Sequence, residues 1–121
     1  MKFEREMLKG VAPMAVLEML AREPMYGYQL SAELTKSSGE ILSLGQGSLY
    51  PLLYNLEAKD WVKAEDRKAE SGRRRRYYAL TDKGRRRLAR SKKEWKKLVE
   101  GVDNLFGGEA DASGTAMESW A

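Results

Sequence analysis

Residues 48–80 carry the sequence SLYPLLYNLEAKDWVKAEDRKAESGRRRRYYAL, whose pattern is the most informative about the class of fold. Its first part places leucines at spacings that bring them onto one face of a helix. These leucines are Leu49, Leu52, Leu53 and Leu56. We expect a helix over residues 48–60, with Ser48 as its N-cap. Pro51 would then fall in the first turn, where no intrahelical hydrogen bond is lost.

The second part of the stretch predicts a β-hairpin. Residues 61–66 and 75–80 are rich in aromatic and aliphatic side chains, as strands are. The polar segment between them, RKAESGRR, contains Ser71-Gly72, which is typical of a turn. The tip of this hairpin is strongly basic.

Two helices are expected before this stretch. Residues 7–22 carry apolar side chains at nearly every helical phase, and Glu23-Pro24 ends that helix because the residue before proline avoids the α region. Pro13 lies inside it, so we expect either a kink there or a regular helix that begins near Ala12. Residues 26–37 predict a second, shorter helix.

A long helix is expected after the hairpin. Thr81 is its predicted N-cap, and apolar side chains recur at spacings of three, four and seven residues as far as Phe106. A helix of this length cannot bury its whole apolar stripe against an 80-residue domain, which implies a partner helix from a second copy.

The order of elements predicts a mainly α fold with a small β-hairpin: a winged helix-turn-helix followed by a long C-terminal dimerisation helix. We expect a DNA-binding domain over residues 1–80, the dimerisation helix over 81–106 and a flexible acidic tail over 107–121. In such a fold the third helix enters the major groove and the hairpin crosses the phosphates.

The charge distribution supports a polyanionic partner. The net charge is −3 over residues 1–66, +12 over residues 67–97 and −5 over residues 98–121. A basic block of this size is a candidate nucleic-acid footprint. The alternative is a solvated helix face beside a solubilising hairpin.

Several classes of protein are disfavoured. The chain has no cysteine and no histidine, and it shows no nucleophile–base pair, metal cluster or glycine-rich phosphate loop. We therefore predict neither an enzyme nor a cofactor. The sequence contains no signal peptide and no run of apolar residues long enough to span a membrane, so we expect a cytoplasmic protein that associates with the nucleoid when bound to DNA.

The sequence resembles the PadR family of bacterial transcriptional regulators. The matching segments run from residue 8 to residue 105 in the order of the family. They are Tyr26-Gly27-Tyr28 with Leu30, Gly47-Ser48-Leu49-Tyr50-Pro51, Leu56-Glu57 with Trp61-Val62, Ser71-Gly72-Arg73-Arg74, and Tyr77-Tyr78-Ala79-Leu80-Thr81 with Lys83-Gly84. Pro13, Gly101 and the acidic tail depart from the family pattern.

The resemblance implies a homodimer that represses genes by binding a palindromic operator and is relieved by a small molecule or another signal. Some short members of the family hold flat aromatic drugs at the dimer interface, against a tryptophan of the last helix. Trp95 resembles that tryptophan in position. It either belongs to the core of the dimer or stacks a small aromatic ligand against its symmetry mate.

We expect the DNA-binding residues at the starts of helices two and three and on the hairpin. They are Tyr26, Gly27, Tyr28, Ser48, Tyr50, Pro51, Asn55, Lys68, Arg73, Arg74 and Arg75. Tyr50 either contacts DNA or packs under the hairpin. Residues 26–28 either bind phosphate through backbone N–H groups or serve the core.

The residues expected at the dimer interface and ligand cavity come from the first and last helices. They are Leu8, Val11, Ala15, Trp95, Val99, Val102 and Phe106. The alternative function is a winged-helix module that binds proteins. The +12 block and the uncharged polar face of the third helix argue against that alternative.

Overall fold

The structure, a computed structural model, describes residues 4–107. In chain order the elements are α1 (Arg5–Arg22), β1 (Met25–Tyr26), α2 (Gly27–Ser37), α3 (Gln46–Ala58), β2 (Val62–Lys68), β3 (Arg74–Leu80) and α4 (Asp82–Leu105). The strands form an antiparallel sheet in the order β1-β3-β2. The predicted class, helical with a basic hairpin and a long last helix, is confirmed. We call β2, β3 and their turn the wing.

Helix α1 runs without interruption through Pro13. The alternative in which the regular helix begins near Ala12 is therefore wrong. Pro13 lacks the N–H that would donate to the carbonyl of Lys9, so α1 continues through this position without that hydrogen bond. The helix ends as expected, because Glu23 is extended (φ −167°, ψ 158°) in front of Pro24.

Strand β1 was not predicted from the sequence. Met25 and Tyr26 pair with Tyr78 and Tyr77 of β3, so Tyr26 lies in a strand and not in the second helix as predicted. Helix α2 begins one residue later, at Gly27. A strand of two residues has no periodicity to detect, and only its partner strand defines it.

The start of α3 differs from the prediction in two ways. Its N-cap is Gly45, whose carbonyl accepts hydrogen bonds from the N–H groups of Ser48 and Leu49 at 3.1 and 2.9 Å. Ser48 is thus already inside the helix and is not the cap. Pro51 lies in the second turn, where it does remove a hydrogen bond, the one to the carbonyl of Gly47.

One hydrophobic core joins helices α1, α2 and α3 to one face of the sheet. The alternation along the strands places Val62, Tyr78 and Leu80 on this face, and all three are buried. The helices contribute Val16, Leu17, Leu20, Leu30, Leu34, Leu49, Leu53 and Leu56. The opposite face of the sheet carries Arg67, Arg75 and Tyr77, which are exposed or half-buried.

Helix α4 begins as the sequence predicts. The hydroxyl of Thr81 accepts a hydrogen bond from the N–H of Gly84 at 2.9 Å and donates to the carbonyl of Asp60 at 2.7 Å. Gly84 packs directly against the carbonyl of Trp61, where a larger residue would collide. Leu88 joins the core.

The chain divides into two compact units, Met1–Leu88 and Ala89–Ala121. The second unit contains the rest of α4, which ends at Leu105. The predicted acidic tail, apart from Gly107, lies outside the described residues.

Candidate nucleic-acid interface

The start of α2, one side chain of α3 and the wing meet around a surface cavity of about 490 Å³ in the first unit. The lining residues are Tyr26, Gly27, Tyr28, Tyr50, Arg73, Arg74, Arg75 and Arg76. Seven of these eight were predicted as DNA-binding residues, and the fold brings them together from three distant segments. The cavity is open and carries an excess of positive charge.

Gly27 sets the position of Tyr50. The phenol of Tyr50 lies so close to the α-carbon of Gly27 that an added Cβ would be 2.7 Å from its Cζ and closer still to its hydroxyl oxygen. Tyr50 is half-buried and packs against the core, with its hydroxyl at the start of α2. No side-chain hydrogen bond caps the N-terminus of α2, so the first N–H groups of this helix lack that partner.

The solvent-facing side of the sheet carries a row of four side chains in mutual contact. They are Arg67, Tyr77, Tyr26 and Arg75. The rings of Tyr26 and Tyr77 meet edge to face, with centroids 5.4 Å apart. The guanidinium of Arg75 lies 4.3 Å from the centroid of Tyr26, and that of Arg67 lies 5.1 Å from the centroid of Tyr77. The wing is therefore fixed to β1, directly in front of α2.

Arg76 points to the other face of the sheet and is engaged within the protein. Its guanidinium contacts Glu57 of α3 at 3.3 Å and Asp66 of β2 at 3.9 Å. Burial raises the pKa of the Tyr78 hydroxyl, and the neighbouring positive charge of Arg76 acts in the opposite direction. Arg76 thus connects the wing to the end of α3, and its charge is compensated.

The tip of the wing is exposed and basic. Arg73 and Arg74 make no ion pair within the described part of the chain, and Lys68 lies opposite Arg74 in the sheet register. The turn between the strands relies on Gly72, whose φ of +87° favours glycine. All three cations are exposed and therefore accessible to an anionic partner.

The outer surface of α3 presents Ser48, Pro51 and Asn55, all exposed. Tyr54 lies on this surface as well, although it was not among the predicted site residues. Tyr54 is 57% exposed and lies one turn beyond Tyr50, with ring centroids 6.5 Å apart. The sequence signal that could have identified Tyr54 as a site residue is its position four residues after Tyr50, on the uncharged face of the same helix.

The residues predicted for a dimer interface lie in two elements. Leu8, Val11 and Ala15 are half-buried in α1. In the second unit, Trp95 is 43% exposed and Val102 is 36% exposed, while Phe106 follows the end of α4. Leu98 and Leu105, also exposed, extend this apolar stripe.

Among residues 4–107 no group of carboxylates is arranged to hold a metal ion. Within the same range no helix is both long and apolar enough to cross a membrane.

The fold and site define a winged helix-turn-helix regulator, and comparison with known proteins agrees. The sequence pattern of the PadR-like family of transcriptional regulators matches residues 16–90. The chain belongs to this family and is a transcriptional regulator, as its sequence predicted.

Solved and curated relatives extend the match beyond the family pattern. A PadR-like transcriptional regulator from Bacillus cereus is 35% identical, with a TM-score of 0.74 over 86% of this chain and 99% of that one. A transcriptional regulator from Clostridium thermocellum is 26% identical, with a TM-score of 0.74 over 84% and 97%. A transcriptional regulator of Mycobacterium tuberculosis is 29% identical over 91% of this chain and 96% of its own.

Proposed function

We propose that the protein is a repressor that binds a palindromic operator in double-stranded DNA as a homodimer. The observation that carries this proposal is the convergence of the start of α2, Tyr50 and the wing arginines on one basic surface. Each of these parts has a known use in DNA recognition: N–H groups for phosphate, a helix for the major groove and a basic hairpin for the backbone.

The proposed contacts with DNA are of two chemical kinds, those with base edges and those with phosphates. The exposed polar and aromatic side chains of α3 meet base edges, with Asn55 suited to adenine and Pro51 to a thymine methyl group. Arg73, Arg74 and Lys68 at the tip of the wing meet phosphates, which fix the register of the protein on the duplex. Base discrimination and affinity therefore reside in different elements.

The dimer forms through the apolar stripe of α4. Trp95, Leu98 and Val102 expose apolar surface in the single chain, and a second copy of the helix would bury it. Val99 of the same helix is half-buried, and Phe106 follows directly after the end of α4. The contribution of Leu8, Val11 and Ala15 to this interface stays a prediction.

A small aromatic ligand would relieve repression by stacking on Trp95. Such a ligand changes operator affinity only through its unequal affinity for two arrangements of the dimer. The regulator would act in the cytoplasm, bound to the nucleoid.

The test is the binding of the purified protein to a duplex from the region upstream of its own gene, beside a scrambled duplex, across a salt series. We expect saturable binding to the native duplex with a steep salt dependence, with a slope of about −5 if six phosphates are neutralised. Equally weak binding to this duplex, to the scrambled one and to duplexes selected from a random pool would contradict the proposal. The protein-binding module would then be favoured.

A further inference from the structure

Arg75 differs from the other three arginines at the end of the wing. It is half-buried, whereas Arg73, Arg74 and Arg76 are exposed. Its guanidinium lies 4.3 Å from the ring centroid of Tyr26, and it makes no ion pair within residues 4–107. Arg75 is thus held in place while its charge stays uncompensated.

The neighbouring cations show the contrast. Arg76 stacks less closely, 5.9 Å from the ring centroid of Tyr78, and two carboxylates neutralise it. Arg67 stacks on Tyr77 but also contacts Glu65 at 3.5 Å. Arg75 alone in the described wing combines an aromatic platform with a free charge.

A stacked guanidinium keeps its hydrogen-bonding edge available. The cation lies over the ring face, and its planar N–H groups remain directed outward. Arg75 and Tyr26 both line the cavity at the start of α2, where the first N–H groups have no side-chain cap. The guanidinium of Arg75 and the first N–H groups of α2 are therefore two kinds of hydrogen-bond donor at one cavity. Together they suit the binding of a phosphate oxygen.

We propose that Tyr26 is a positioning residue that acts through Arg75, holding the guanidinium toward a backbone phosphate of the duplex at the start of α2. This inference rests on the proposed DNA-binding function and revises the role of Tyr26, which the sequence placed among the direct DNA contacts. Tyr26 raises affinity because Arg75 is already oriented before the duplex arrives and loses less freedom on binding.

The stack itself is tested on the free, full-length protein by NMR. We expect the side-chain protons of Arg75 near the guanidinium to be shifted upfield by the ring of Tyr26. The shift should persist in Tyr26→Phe, which keeps the ring, and disappear in Tyr26→Leu. An unshifted Arg75 in the wild-type protein would overturn the proposal whatever the protein does with DNA.

The role at the phosphate is tested with a duplex that the protein itself selects from a random-sequence pool. We expect Tyr26→Leu to weaken binding about fivefold, the scale of an exposed cation–π contact, while the salt slope stays unchanged because no charge is lost. Arg75→Lys keeps the charge but loses the planar stack. It should therefore show the same loss of affinity and the same unchanged salt slope as Tyr26→Leu. Arg75→Ala should also lower the slope by about one. Tyr26→Phe should stay within about twofold of wild type, with melting temperatures as the folding control.

Coupling between the two residues completes the test. The double variant Tyr26→Leu/Arg75→Lys should bind no more weakly than either single variant, because both remove the same stack. Additive losses, or a loss in Tyr26→Phe equal to that in Tyr26→Leu, would show that Tyr26 contacts DNA directly and would overturn the proposal. If the protein selects no duplex while the upfield shift is present, the proposed DNA-binding function is contradicted. The role of Arg75 at a phosphate is then contradicted too, whereas the contact between Arg75 and Tyr26 is confirmed.

Discussion

The hydroxyl end of Tyr50 in α3 lies directly against Gly27, the first residue of α2. The two residues are far apart in sequence, and the absence of a side chain at Gly27 is what allows the contact. This contact fixes the distance between the start of α2 and the helix that we propose enters the major groove. A glycine here serves close approach of a neighbour and not backbone conformation.

Gly27→Ala is expected to destabilise the protein by about 1–3 kcal/mol, because the new methyl group would displace the ring of Tyr50. It should also weaken binding to the operator. Urea denaturation at a fixed protein concentration measures the first effect. Gly10→Ala in α1, where an added Cβ meets nothing within 4 Å, is the matched control and should stabilise by up to about 1 kcal/mol. Equal stability of Gly27→Ala and wild type would show that the contact carries no constraint.

Thr81→Ala is expected to reduce stability by about 1–2 kcal/mol, because it removes the acceptor for the N–H of Gly84 and the donor to the carbonyl of Asp60. Thr81→Ser keeps both hydrogen bonds and should lose much less. Thermal or urea unfolding of wild type, Thr81→Ala and Thr81→Ser measures the two losses of stability. Identical losses in the two variants would assign the effect to the methyl group and not to the cap.

Arg73→Ala is expected to lower the slope of binding affinity against salt by about 0.9, the value for one neutralised phosphate. Arg22→Ala removes the same charge from the end of α1, where Arg22 contacts Glu18 at 3.9 Å and Ser37 at 3.2 Å. Its slope should match wild type. Titration of a labelled duplex at several salt concentrations measures both slopes, and an equal decrease in the two would indicate long-range attraction instead of contact.

Val102→Glu is expected to weaken dimerisation at least tenfold, because it places a carboxylate within the apolar stripe of α4. Lys93→Glu changes the exposed basic face of the same helix and should leave the dimer intact. Sedimentation equilibrium measures both. A dimer that is unaffected by Val102→Glu would place the interface elsewhere.

Tyr78 gives an expected pH dependence. Burial raises the pKa of its hydroxyl above the ordinary value of 10.0, so the unfolded chain ionises first as the pH rises. This contribution to stability is complete below about pH 10 and is lost as the pH rises toward the pKa of the folded state. Tyr78→Phe should therefore lose less stability between about pH 9 and pH 11 in urea denaturation experiments. Equal losses of unfolding free energy in wild type and Tyr78→Phe over this pH range would show that Tyr78 does not cause the pH dependence.

The sequence predicted those parts of the site that depend on local chemistry. The leucine stripe of α3, the Ser71-Gly72 turn and the cap at Thr81 are each specified by residues within a few positions of one another. The basic tip of the wing followed from the run Arg73–Arg76. Local patterns of this kind do not require knowledge of the rest of the fold.

Other features appeared only in the tertiary structure. The strand Met25–Tyr26 exists because β3 lies beside it, and Gly45 occupies the N-cap position of α3 although it has no polar side chain to form a cap. The four consecutive arginines Arg73–Arg76 look alike in sequence, yet Arg75 stacks on Tyr26 and Arg76 pairs with Glu57. The side chains available to the interface can be recognised from the sequence, because composition and periodicity are local. Which of these side chains are held in contacts and which remain unpaired depends on the fold, because those contacts join segments that are distant in the chain.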